Sequence, residues 1–115
     1  MDVRDDVHVL VLAGRVGHSS ALELAAALDT ALARPKPLTV LDFELVDYVS
    51  GAALGVMEAA LDRATRAGGR LVLTGVCEPV RVVLELGGLL ARVAIEPSRD
   101  AAVLTVRLNA DATYD

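Results

Sequence analysis

The side chains able to do chemistry in this chain are few and scattered. His8 opens a Val- and Leu-rich run, and His18 lies beyond the end of it. No Cys, Asp or Glu stands at ligand spacing around either one, so no metal set is expected, and Asp5-Asp6-His8 reads as a solvated terminus. Cys77 is the single cysteine. It cannot close an internal disulfide, which suits a reducing cytoplasm. Cys77 stands where a helix should begin, a place where the dipole favours a thiolate. The competing reading is a small, partly buried residue in a cap slot. With no resolving thiol in the chain, any disulfide would be intermolecular. A serine hydrolase would show Gly-x-Ser-x-Gly, which is missing. Gly14-Arg15-Val16-Gly17 follows a strand but lacks the spacing of a dinucleotide loop and the Lys of a phosphate loop. No catalytic residue, cofactor or metal is expected, and binding rather than catalysis is the expected activity.

The elements that hold these residues alternate. His8 to Ala13 reads as a strand closing at Gly14. Ser20 and Glu23 have the spacing of a capping box, opening a helix whose inner stripe is Ala21, Leu24, Leu28 and Ala31. Pro35 and Pro37 stop it. Leu38 to Phe43 is the next strand, and a short segment, Leu45 to Val49, leads into a helix from about Gly51 to Ala67. Leu54, Met57, Leu61 and Ala64 form its expected buried stripe, and Asp62 and Arg66 a surface pair. Gly68-Gly69 ends it. Arg70 to Thr74 is a third strand. Pro79 sits in the first turn of a third helix that runs to Leu86 and stops at Gly87-Gly88. Val93 to Ile95 is a weak strand, and Pro97-Ser98 opens a last helix to about Asn109, with Ala102, Thr105, Val106 and Asn109 in register. Positions 110–115 read as a frayed tail. Alternating strands and helices with short loops call for an α/β fold, a mixed sheet of four to five strands with about four helices packed mainly on one face.

Length and composition bound the rest. A chain of 115 residues is the size of one domain, with the core expected over about 7–108. With 54% apolar residues and 23% charged, it should pack an aliphatic core, since the aromatics are only Phe43, Tyr48 and Tyr114. No apolar run approaches the roughly 20 residues of a membrane helix, and the acidic start lacks the form of a secretory signal. Neither membrane insertion nor export is expected. The net charge of −5 and the scattered Lys and Arg argue against nucleic acid.

Four segments, in order, resemble the STAS domain of the bacterial anti-sigma factor antagonists. They are Leu10–Val16, Val40–Phe43 with Val46–Ser50, Ala67–Val76, and Val80–Leu89, together covering about 7–108. The resemblance implies that the second helix and the loop before it dock onto an anti-sigma factor or serine kinase of the ATP-binding type, freeing a sigma factor. In regulated members that helix begins with an Asp-Ser-Ser-Gly or Asp-Ser-Thr-Gly type sequence, and the kinase phosphorylates a hydroxyl there. A helix start presents free amides and partial positive charge, and a phosphate adds nearly two negative charges to a contact surface. Anchored on Leu54-Gly55-Val56, the motif positions fall on Ser50, Gly51, Ala52 and Ala53. These four are the expected docking residues, yet both central hydroxyls are missing, and the family's early acid after the first strand falls on Gly17. Ser50 is then either an N-cap or a displaced phosphosite. The loss of the usual switch suggests a constitutive antagonist or the scaffold of a signalling assembly. The alternative function is a STAS subunit that regulates a membrane transporter of lipids or anions. Sheet edges or exposed aliphatic residues would allow a dimer.

Overall fold

A computed structural model of the chain describes residues 2–4 and 7–112, with side chains described over 7–108. Five strands form one sheet in the order β1-β2-β3-β4-β5: β1 (Asp2–Arg4), β2 (Val7–Val16), β3 (Leu38–Val49), β4 (Arg70–Thr74) and β5 (Ala94–Glu96). β1 pairs antiparallel with β2, while β2 to β5 are parallel. The connecting helices are α1 (Ala21–Ala31), α2 (Gly51–Arg66) and α3 (Glu78–Leu86), with a 3-10 turn at Leu89–Ala91 and a last helix, α4 (Arg99–Ala112). The order of the parallel strands never reverses. Right-handed crossovers therefore put α1, α2 and α3 on one face.

Alternation along the strands builds two cores. Leu10, Leu41, Phe43, Leu71 and Leu73 face α1, α2 and α3. Val7, Val9, Leu38, Val40 and Val72 face α4 through Ala102, Val103 and Val106. Three helices on one side and one on the other match the expected α/β sheet, at five strands.

Several local expectations need correction. β2 does not close at Gly14 but passes through it at φ +74, beside a shift in register against β3, and continues to Val16. The two segments Leu38–Phe43 and Leu45–Val49 are a single strand, because a second shift between Val11 and Ala13 lets β3 carry an extra residue at 43–44. Asp2–Arg4 pairs with β2, and His8 lies within β2 rather than in a solvated terminus, whose Asp5 and Asp6 lie outside the described residues. Ser20 and Glu23 form no capping box, since the Ser20 hydroxyl accepts from the Gly17 amide instead. The inner stripe of α1 is the expected one, but that of α2 is Ala53, Met57, Ala60, Leu61 and Ala64, with Leu54 half-buried. Asp62 reaches across to Arg92, while Arg63 pairs with Asp29 on α1. β5 lies one residue later than expected. In α4 Val103 is buried where Thr105 was expected, and the helix runs to Ala112, so 110–112 are helical and 113–115 lie outside the described residues.

The exit of α2 shows how glycine sets a boundary. The Gly68 amide donates to the Thr65 carbonyl and the Gly69 amide to that of Ala64, with Gly68 at φ +75. A Cβ on Gly69 would stand 2.0 Å from the Pro37 carbonyl oxygen, so only glycine fits between this helix and the loop before β3.

Candidate partner-docking site

The start of α2 is built from the backbone outward. Ser50 is extended (φ −89, ψ 168), and its hydroxyl accepts from the Ala53 amide at 3.2 Å. Its own amide donates to the Val16 carbonyl at 3.0 Å, which ties the helix entrance to the end of β2. Ser50 is thus an N-cap, satisfying one of the free donors of the first turn. Each helical residue turns about 100° from the last, and that rotation divides the four motif positions. Gly51 is exposed, Ala52 and Ser50 are half-buried, and Ala53 is fully buried at 0%. Ala53 therefore belongs to the core beside Met57, and its side chain is not a surface that a partner can touch. Of the four expected docking positions, only Ser50, Gly51 and Ala52 are accessible.

The neighbouring elements converge on this turn. Gly17 follows β2 directly, and a Cβ there would lie 4.0 Å from the Tyr48 ring. Arg15 stacks over that ring at 4.1 Å from its centre. On the other side, a Cβ on Gly87 at the end of α3 would meet the Leu54 side chain at 3.2 Å, so α3 ends against the first turn of α2. Leu22 on α1 and Leu86 on α3 are exposed.

The remaining chemistry-bearing residues lie elsewhere. Cys77 caps α3 through its backbone position, and its half-buried thiol donates to the Val46 carbonyl at 3.5 Å. His18 is exposed in the loop before α1. His8 sits far from it, at the opposite end of β2, where burial first and then the Arg34 charge lower its pKa below the ordinary 6.5. Among the described residues, no three His, Cys, Asp or Glu gather into a group that could hold a metal.

One residue pair escaped the sequence reading. Asp42 is buried on the α4 face, and Arg99 donates to its Oδ2 from Nε at 2.9 Å, with Nη2 in an ion pair to the same oxygen at 2.9 Å. The other oxygen accepts the Glu44 amide at 3.0 Å. A lone acid inside the apolar run Leu38–Phe43 was the available signal, because a buried carboxylate requires a partner.

The chain as a whole resembles known proteins. A family model described as "Mlab, STAS domain" matches residues 1–95. A Bordetella bronchiseptica protein named as an anti-sigma factor antagonist, BtrV, is 32% identical over 102 residues, covering 89% of this chain and 88% of that one. The crystal structure of a Thermotoga maritima protein named as an anti-sigma factor antagonist superposes with a TM-score of 0.84 at 25% identity, over 92% of each chain. A sulfate transporter family protein from Wolinella succinogenes has the same fold, with a TM-score of 0.78 at 19% identity over 96% of this chain and 93% of the other. A parallel sheet with three helices on one face, a second helix capped at its start, and a family model that matches most of the chain lead to one conclusion: this chain belongs to the STAS domain family.

Proposed function

We propose that the domain is a non-catalytic, protein-binding regulator of the anti-sigma factor antagonist type. It docks through the start of α2 onto an anti-sigma factor or serine kinase of the ATP-binding type and thereby frees a sigma factor. The observation that carries this reading is the first turn of α2. Gly51 and Ala52 leave the backbone open to close approach, and nothing lies within 4 Å of a Cβ at Gly51. The likeness to BtrV supports it. The phosphate switch of regulated members is lost, because 51 and 52 bear no hydroxyl and the Ser50 hydroxyl is engaged in capping.

A single substitution tests the docking surface. Gly51→Arg should leave the far-UV circular dichroism unchanged, because the added side chain enters open space, and should weaken binding to a kinase-like partner copurified with the domain by about tenfold or more. Unchanged affinity would sink the docking site. Intact mass after incubation with ATP and that kinase should show no phosphate, whereas a stoichiometric phosphate on Ser50 would restore the displaced phosphosite.

The second reading, a STAS subunit of a membrane transporter or a scaffold within an assembly, draws on the transporter fold neighbour. Among the described residues no helix is long and apolar enough to cross a membrane, so in that role the membrane-spanning part would lie outside these residues. The identity of the copurified protein, a kinase or a transporter ATPase, separates the two.

A further inference from the structure

The surface beside the α2 turn has a composition of its own. α3 buries Val80 and Leu84 but turns Pro79, Val82 and Leu86 outward, at helical spacing i, i+3 and i+7. Leu86 is 83% exposed. Single exposed leucines need no explanation, but here the apolar stripe continues past Gly87 onto Leu54 and so joins the first turn of α2. Carboxylates border this surface. Glu78 and Glu85 are exposed on α3, and Glu58 stands half-exposed one turn beyond Leu54 on α2. Among the described residues none of the three forms an ion pair. Arg81 is the one cation of α3, so the rim carries a net negative charge.

We propose that the docking surface extends from the α2 turn across the outward face of α3, and that it takes a protein partner presenting apolar side chains bordered by Lys and Arg. The extension rests on the reading that partners dock at α2. Its chemistry follows from complementarity. An apolar stripe supplies the burial that holds a partner, and a rim of unpaired acids speeds the approach of a basic one and repels an acidic one. The same rim disfavours an anionic lipid surface or nucleic acid as the occupant.

Site-specific photo-crosslinking of the full chain in the cell that makes it tests the extension. A photoreactive phenylalanine analogue is placed at Gly51, at Leu86 or, as a control, at Leu104, which is exposed on α4 and faces away from both helices. Positions 51 and 86 should capture the same protein and position 104 should not, and the captured segment should be apolar with flanking Lys or Arg. In the Glu58→Lys/Glu85→Lys background the yield from position 86 should fall about fivefold or more, as it should at high salt. Capture at 51 without capture at 86 overturns the extension and leaves docking at α2 intact. Failure at both positions overturns both readings. Capture of a second copy of this chain, of an acidic partner, or with no response to charge reversal overturns the chemistry assigned to the partner.

Discussion

His8 and Thr39 face each other across β2 and β3 on the side covered by α1, and each holds a buried polar atom with no hydrogen-bond partner, Nδ1 of His8 and Oγ1 of Thr39. Such atoms tolerate a neutral imidazole far better than an imidazolium. Burial and the nearby Arg34 both push the His8 pKa below 6.5, so between the two values the unfolded chain binds more protons than the folded one. Stability then rises with pH: it is complete above 6.5 and declines as the pH falls through that value towards the lower, folded one. In urea titrations at pH 7.5 and 5.5, the native chain should lose more stability on acidification than His8→Val. Equal losses would show that His8 does not titrate against the fold. The position of His8 at a strand start was legible in the sequence, but its environment was not. Local periodicity cannot say that the C-terminal end of α1 closes over this part of the sheet.

Two glycines of one helix region carry opposite expectations at the scale of elements. Gly55 lies in the interior of α2, exposed, with nothing within 4 Å of a Cβ. Gly55→Ala should stabilise the domain by about 1 kcal/mol, the usual cost of glycine within a helix. Gly69→Ala should destabilise it by about 2 kcal/mol or more, because its Cβ would collide with the Pro37 backbone. Thermal or urea unfolding of both variants checks the pair of signs. The helices were the legible part. The inner stripe of α1 and the Gly68-Gly69 stop follow from spacing and from the conformational freedom of glycine. β3 was harder, because the exposed pair Glu44-Leu45 imitates a break, whereas the chain remains paired and only shifts register. The α2 stripe was mistaken by one position at its start. Ala53 is as small as its neighbours, so residue type did not reveal that it points inward while Gly51 and Ala52 do not.

At the scale of the molecule, α4 closes the face that α1, α2 and α3 leave open, and Asp42–Arg99 pins its first turn to the end of the apolar part of β3. Asp42 is buried, while the Arg99 side chain remains about one-third exposed at 32%. Removing the carboxylate charge takes one partner from a guanidinium that water still reaches, a smaller loss than for a fully buried pair. Asp42→Asn should cost about 2 kcal/mol and speed hydrogen exchange at the start of α4 more than in α2. A uniform change in exchange across both helices would argue that the pair does not latch α4. The sheet with its covering helices was readable from the order of elements. Their packing mainly on one face was expected too, but which helix lies alone on the other was not, since it depends on the route the chain takes after β5.

The hydroxyl-free turn at Gly51 and Ala52 has a consequence for dosage. Under the proposed function, a regulator whose contact turn has no covalent on and off states can be adjusted only through its amount relative to its target. Binding tight enough to matter would then act as a titration. Free target would fall in proportion to regulator until the two are equal and would collapse near that point, so a modest change in expression would produce a threshold where its phosphorylated relatives use an enzyme.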